Sequence, residues 1–89
     1  MAQAHVDPEE LVAFANELER YIRTLEDETN KLGGAFGHLG ETWKDSKHAA
    51  FEEKFNELRS SMNSFKEAAR EQIPALRLMA QRASEYLGS

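Results

Sequence analysis

The histidines are the side chains of this sequence best suited to acid–base or metal chemistry, and they are widely separated. His5 precedes the first predicted helix, His38 lies in a glycine-rich segment, and His48 lies at the start of the second predicted helix. Because His48 and Glu52 are four residues apart, one helical face would present both to a divalent metal. Two ligands alone bind a metal weakly, and the chain contains no cysteine. The pair therefore indicates solvated surface residues, and the sequence predicts no metal site.

Other patterns that carry chemistry are also absent from the sequence. No serine and histidine have a spacing that suggests a catalytic triad, and carboxylates such as Glu17, Glu28 and Glu53 fall on outward helical positions. The stretch Gly33-Gly-x-x-Gly37 lacks the preceding strand and the following Lys-Ser/Thr of a phosphate-binding loop. The sequence therefore predicts no catalytic residue, no cofactor and no enzymatic activity.

The charge of the chain argues against nucleic acids and anionic membranes as its partners. The chain has 89 residues and a net charge of −5, whereas nucleic-acid binders and proteins of anionic membranes need a basic face. Residues 1–45 carry ten acidic against four basic side chains, and this acidic half either forms a solvated face or helps to select a partner. No apolar run is long enough to insert into a membrane. Residues 1–8 lack the basic and apolar regions of an ordinary signal peptide, so we expect any export to use another route.

The first helix has a well-defined predicted start. Asp7 is placed to cap it, Pro8 occupies its first position, and Glu10 completes a capping box. Four of the five glycines lie between Leu32 and Trp43. Since the apolar spacing continues through this segment, we predict a weakened helix that ends near residue 39, with an earlier end at Leu32 as the alternative.

A short turn and a second long helix follow. The predicted boundaries within a single domain of residues 1–89 are about 8–39 for helix 1, 40–46 for the turn and 47–87 for helix 2. Either Thr42 with Asp45, or Ser46 alone, is suited to cap the second helix. Pro74 interrupts the pattern, and we expect a kink between Arg70 and Pro74.

Both predicted helices carry apolar residues in alternating steps of four and three, which is the spacing of helices packed along their length. A short turn makes the helices antiparallel, so the fold class is an all-α helical hairpin. The register places Leu25 opposite Phe65 and Leu32 opposite Leu58. The apolar stripes are wider than one hairpin covers, which predicts pairing into a four-helix bundle. The predicted hairpin or dimer seam consists of Leu18, Leu25, Leu32, Phe51, Phe55, Leu58, Met62 and Phe65.

Trp43 is the only tryptophan and falls in the predicted turn. One interpretation is a lid over the end of the bundle. The other is an exposed residue that docks a partner, a role in which tryptophan is common.

The layout of these features resembles the WxG family of small helical hairpins, which type VII secretion systems export. The resemblance rests on the opening Asp7-Pro-Glu-Glu-Leu, the tryptophan in the turn, Ala49-Ala-Phe51 and the C-terminal Ala83-x-x-Tyr86. It covers residues 6–86. Trp43 and Phe51 match family positions, whereas Asp45 stands where the family has glycine. The family's export signal is a tyrosine followed four residues later by an acid, and for Tyr86 that acid would fall just after Ser89.

The resemblance implies a non-enzymatic, secreted interaction protein that acts as a dimer. It implies that Trp43, Asp45, Tyr86 and Leu87 serve partner docking or export. The expected partner is a second copy of the chain or a sister hairpin, with a secretion ATPase or a larger effector as further partners. The alternative function is a cytosolic adaptor or chaperone that pairs with the helical N-terminal region of a larger secreted toxin.

Overall fold

The computed structural model describes residues 6–88, so His5 lies outside the described residues. Two helices account for nearly all of this range. Helix α1 spans Pro8–Leu39 and helix α2 spans Ser46–Gly88. The hairpin is a rod with extents of 66 × 23 × 17 Å, and it confirms the predicted all-α antiparallel fold.

The helix ends are fixed by hydrogen bonds that the sequence specifies locally. Oδ1 of Asp7 accepts the backbone N–H of Glu9 at 2.9 Å, and Pro8 occupies the first turn. This arrangement satisfies one of the backbone donors that a helix start leaves unpaired. At the other end of α1, the N–H of Gly40 donates to the carbonyl of Phe36 at 3.1 Å.

The glycine-rich segment remains helical to Leu39, so the alternative end at Leu32 is wrong. Gly40 itself has a right-handed helical backbone (φ −63°, ψ −16°), and the described glycines contain no positive φ. Helix α2 likewise continues through Pro74. The kink expected at this proline stays a prediction.

The hydrophobic core lies between the two helices, and half of its buried residues are alanines. Ala15 and Ile22 of α1 cluster with Ala69 and Ile73 of α2, and Leu18 and Leu76 pack against this cluster. Phe55 and Ala80 are also buried. Alanine at the contact lets the helix axes approach closely, because it keeps few atoms between them.

This core corrects the predicted packing of the seam. Leu32 and Leu58 line the same hollow between the helices, as the predicted register requires, but they are 58% and 60% exposed rather than buried. Phe65 is 46% exposed and makes an aromatic contact with Tyr21, which lies one helical turn before Leu25, with ring centroids 6.2 Å apart. The predicted pairing of Phe65 with Leu25 stays a prediction. The flank that carries Ala15, Ile22 and Ile73 forms the contact, and the larger residues beside it turn outward.

Candidate functional site

The two long sides of the hairpin differ in chemistry, and the first side is held by ion pairs. Glu26 of α1 is paired with Arg70 and Lys66 of α2, and Arg70 also lies 3.5 Å from Glu67. The hydrogen bond from Arg70 holds the pKa of Glu26 below its usual value, with the nearby positive charges adding to the effect and partial desolvation opposing it.

The same side continues toward the free ends of the helices. The guanidinium of Arg77 lies 3.3 Å from the carboxylate of Glu19 and donates at 3.1 Å to the side-chain oxygen of Asn16. These contacts cross from one helix to the other and fix the antiparallel register. Since the side chains are partly solvated, their main contribution is orientation rather than large stabilisation.

The second side is a continuous apolar face. Its large side chains are roughly half exposed and recur at intervals of seven, eleven or fourteen residues along the two helices, which keeps them on one helical face. We define the apolar face as Phe14, Tyr21, Leu32 and Leu39 of α1 with Phe51, Leu58, Phe65 and Met79 of α2. Monomeric proteins rarely expose contiguous apolar surface of this extent, so the face is a candidate interface.

Two open hollows lie within the apolar face. One, of about 270 Å³, has Leu25, Leu32, Leu58 and Met62 among its lining residues. The other, of about 310 Å³, lies nearer the turn between Leu39 and Phe51. Hollows of this kind between neighbouring helices suit side chains projecting from another helix, as in knobs-into-holes packing.

The turn between the helices is organised by one carboxylate. Oδ1 of Asp45 accepts the indole N–H of Trp43 at 2.9 Å. The same oxygen accepts the backbone N–H groups of Lys47 at 2.9 Å and His48 at 3.2 Å. Asp45 is therefore the cap of α2. Of the residues predicted to cap α2, Asp45 does so, whereas the hydroxyl of Thr42 donates to the carbonyl of Leu39 and takes no part in the cap.

An aromatic cluster lies beside this cap. The ring of His48 stacks on Phe36 with centroids 5.0 Å apart and planes within 2°, and Trp43 meets His48 edge-on at 5.2 Å. Trp43 also contacts Phe51 at 6.0 Å. Trp43 is half-buried. Trp43 therefore has features of both a lid and a docking residue, because its ring covers the aromatic cluster while part of the side chain stays exposed.

Two of the histidines considered for metal or acid–base chemistry, His38 and His48, lie near the turn. His38 lies 2.8 Å from the carboxylate of Glu41. Nε2 of His48 is buried and has no hydrogen-bond partner among the described residues. Residues 6–88 contain no group of three or more histidine or acidic side chains arranged to hold a metal.

The predicted docking residues fall at opposite ends of one hairpin. Trp43 and Asp45 lie in the turn, whereas Tyr86 and Leu87, 82% and 65% exposed, lie near the end of α2. Forty helical residues span about 60 Å, so a single chain does not bring the two pairs together. Sequence reasoning missed the bond between Trp43 and Asp45. Its signal was an acid two residues after tryptophan at a helix start.

Neither helix of residues 6–88 is long and apolar enough to cross a membrane.

The structure is thus a small helical hairpin with one ion-paired side, one apolar face and a tryptophan in the turn. The model of the WXG100 family, described as proteins of 100 residues with WXG, matches residues 3–85. The chain belongs to this family. It carries Trp43-Lys-Asp45 where the family name specifies tryptophan, any residue and glycine.

Solved structures of a secreted protein, EsxB from Bacillus anthracis strain Sterne, share the fold. A selenomethionine-labelled form has a TM-score of 0.80 at 21% identity, covering 97% of this chain and 98% of that chain. A wild-type form has a TM-score of 0.79 at 22% identity, covering 92% and 94%. No curated protein sequence matches the chain at a significant level.

Proposed function

We propose that this chain is a substrate of a type VII secretion system and functions by pairing its apolar face with another helical hairpin to form a four-helix bundle. Membership of the WXG100 family supports the secretion route. The apolar face supports the pairing and is the observation that carries the proposal. The function is association, and it requires no catalytic group or cofactor.

The energetics of the apolar face favour a partner. Phe14 and Tyr21 on α1, and Leu58 and Met79 on α2, are each at least half exposed. Covering such side chains gains about 25 cal/mol for each Å² of apolar surface removed from water. A second hairpin offers a matching pair of helices, and four helices enclose a core that two cannot.

We also propose that the chain is secreted, by analogy with the EsxB structures that share its fold. The EsxB proteins that share this fold are described as secreted. We propose the same destination for this chain after synthesis in the cytoplasm, through a route that needs no ordinary signal peptide. A secretion ATPase or a larger effector is the further partner that this route implies.

The docking site for export is proposed to combine both ends of the bundle. In a pair of hairpins that run in opposite directions, the turn of one chain lies beside the free helix ends of the other. Trp43 and Asp45 of one chain then lie near Tyr86 and Leu87 of its partner. Aromatic side chains with part of their surface exposed are common anchors of protein interfaces.

The test compares two leucines of α2. Leu58→Asp places a charge in the apolar face, and we expect it to abolish the dimer in analytical ultracentrifugation and export into the culture medium. Leu78 is 45% exposed but points away from the apolar face, so Leu78→Asp is the matched control and should leave both unchanged.

Protein concentration provides a second measurement. The melting temperature of the wild-type chain should rise with concentration, because folding is coupled to association. A monomeric mass at tens of micromolar with a constant melting temperature would contradict self-pairing. Retention in the cell while bound to the helical N-terminal region of a toxin would favour the adaptor function instead.

A further inference from the structure

A groove runs between the helices along the ion-paired side of the hairpin, away from the apolar face. The residues of its two walls recur every seven positions, which keeps them on one face of each helix. They are Val12, Glu19 and Glu26 of α1 with Arg70, Arg77 and Ser84 of α2. From Arg70 to Ser84 the groove is about 21 Å long, at 1.5 Å per residue.

The first of two hollows in this groove, of about 420 Å³, carries more positive than negative charge. Its charged lining residues are Arg23, Arg70 and Arg77 with Glu19 and Glu26. The carboxylate of Glu19 is shared between two guanidinium groups, at 3.3 Å from Arg77 and 3.7 Å from Arg23. The lining therefore has one positive charge in excess, although the chain as a whole has a net charge of −5.

The charges just beside the first hollow leave this excess unchanged. Lys66 shares the carboxylate of Glu26 with Arg70, and it is only 13% exposed. Glu67 lies 3.5 Å from Arg70 and is 75% exposed. One added cation and one added acid cancel, so the hollow still attracts a negative group.

The guanidinium groups also keep donors that the described residues do not use. Each guanidinium has five N–H donors in a planar fork. Within residues 6–88, Arg77 makes its side-chain hydrogen bonds to Asn16 and Glu19 through Nη2, and Arg70 donates through Nη2 alone. Arg23 lies 3.7 Å from Glu19, which is beyond hydrogen-bond distance. The remaining nitrogens suit a further carboxylate, which guanidinium groups bind through paired hydrogen bonds.

The rest of the groove suits apolar atoms. Ile22 and Ile73, 3% and 6% exposed, lie at the base of the first hollow. The second hollow, of about 410 Å³, is mainly apolar and has Val12 and Ala80 among its lining residues. Arg77 lines both hollows, so they are continuous. The first lies along residues 70–77 of α2 and the second along residues 77–84, which places their centres about 10 Å apart.

We propose that this groove is a second binding surface, which takes an acidic helix of another protein. A glutamate or aspartate of that helix binds in the first hollow, and a large apolar side chain seven residues away binds in the second. Residues seven apart share one face of a helix and lie about 10 Å from each other, which matches the two hollows. A small inorganic anion would fill only the first.

This surface goes beyond the proposed pairing function, because it leaves the apolar face free. A helix lying in a groove between two other helices is a common mode of recognition. The hairpin would therefore bind its partner hairpin on one side and the acidic helix on the other.

The test uses an alanine-based helical peptide of about 20 residues, long enough to be helical in water. It carries one glutamate and, seven residues later, one leucine. Titration into the isotopically labelled chain, followed by NMR, should shift resonances of the groove and give a Kd. A matched peptide with glutamine in place of the glutamate should bind at least about tenfold more weakly, because it lacks the charge-assisted hydrogen bonds.

Variants of the chain locate the binding. Arg23→Gln removes one guanidinium without breaking a contact between the helices, since Arg23 reaches only Glu19 of its own helix. It should weaken binding of the glutamate peptide about fivefold. Arg82→Gln makes the same change in net charge at an exposed position of α2 outside the groove, and should leave the Kd unchanged.

The second hollow has its own variant. Val12, which is 40% exposed, lines it, so Val12→Gln should remove the advantage of the leucine peptide over one with alanine at that position. Circular dichroism melting of each variant verifies the fold, so that lost binding is not mistaken for unfolding.

Several results would overturn the inference. These are no binding at millimolar peptide, equal binding of the glutamate and glutamine peptides, or an equal Kd for Arg23→Gln and Arg82→Gln. Shifts confined to the apolar face around Leu58 would show that the peptide only imitates a partner hairpin. Assemblies larger than a dimer that Arg23→Gln reduces to dimers would show that copies of this chain fill the groove. A chain that binds the peptide but neither pairs nor leaves the cell would contradict the proposed function alone.

Discussion

The indole N–H of Trp43 donates a hydrogen bond of 2.9 Å to Oδ1 of Asp45, the residue that also caps α2. One carboxylate oxygen thus connects the tryptophan of the turn to the first turn of the second helix. Glycine at this position has no side chain to make these bonds. The departure of this chain from the family motif therefore adds a specific restraint on the tryptophan.

Replacing Asp45 with alanine should destabilise the fold by about 1–2 kcal/mol, the usual cost of losing an N-cap side chain. Asp45→Asn keeps an acceptor oxygen and should cost much less. Urea unfolding gives both values, and tryptophan fluorescence should change in the alanine variant alone, because only there is the indole released. Equal stability of the alanine and asparagine variants would show that the cap contributes little.

Trp43→Ala should reduce export or partner binding far more than it reduces stability, since the ring is only half-buried. Tyr86→Ala should act in the same way. The two changes together should be less than additive, because the proposed docking site contains both residues. Circular dichroism melting alongside a secretion or pull-down assay makes the comparison. Unfolding of Trp43→Ala would establish the tryptophan as a lid and contradict the docking role.

Truncation of core and face residues should have different effects on the single chain. Ile22 is 3% exposed, so Ile22→Ala should cost roughly 2–5 kcal/mol. Phe65 is 46% exposed, so Phe65→Ala should cost the monomer only about 1 kcal/mol while weakening the dimer. Unfolding measured at low and high protein concentration separates the two contributions. A large loss for Phe65→Ala at low concentration would contradict the small contribution to the monomer expected from its partial exposure.

The ion pair of Glu26 should make stability depend on pH. Interaction with Arg70 lowers the pKa of Glu26 in the folded chain. Its stabilising contribution is present above the unfolded pKa and is lost as the pH falls through the folded pKa. The stability difference between the wild type and Glu26→Gln should therefore shrink from pH 7 toward pH 3 in urea titrations. Glu53→Gln, at an exposed position of α2, is the control, and an equal effect there would contradict a specific pair.

Two glycines should respond to alanine in opposite directions. A Cβ at Gly34 meets nothing within 4 Å, so Gly34→Ala should stabilise α1 by about 0.5–1 kcal/mol. A Cβ at Gly40 would lie 3.3 Å from both the carbonyl of Gly37 and Nε2 of His48, so Gly40→Ala should destabilise the turn. Thermal melting of the pair at one concentration makes the comparison. A gain in stability at both positions would show that the turn tolerates the added methyl.

The fold was predictable because its signals are local and repeated. Asp7 and Pro8 mark the start of α1, and the spacing of four and three through Leu39 indicates a helix despite the glycines. Which part of the stripe is buried was not predictable, because Ala15, Ile22 and Leu32 all belong to one broad apolar stripe. Only the packed hairpin shows that Ile22 is buried and Leu32 is exposed.

The candidate site was predictable to a similar extent. A single tryptophan in a turn indicates a special role by its rarity alone, and Asp45 was suited to cap α2. The bond between them depends on the orientation of the indole ring, which no sequence spacing specifies. The same holds for His48, whose place between Phe36 and Trp43 follows from the path of the turn.

Three of the six buried core residues in the described part of the chain are alanines, at positions 15, 69 and 80. Methyl groups contribute little burial energy, so the contact between the two helices supplies only a thin margin of stability. Under the proposed pairing, dilution separates the two chains and thereby lowers the fraction that is folded. That fraction then depends on how much protein a cell makes. A chain separated from its partner outside the cell is then short-lived and exposed to proteases. The rate of dissociation would consequently set the lifetime of the protein outside the cell.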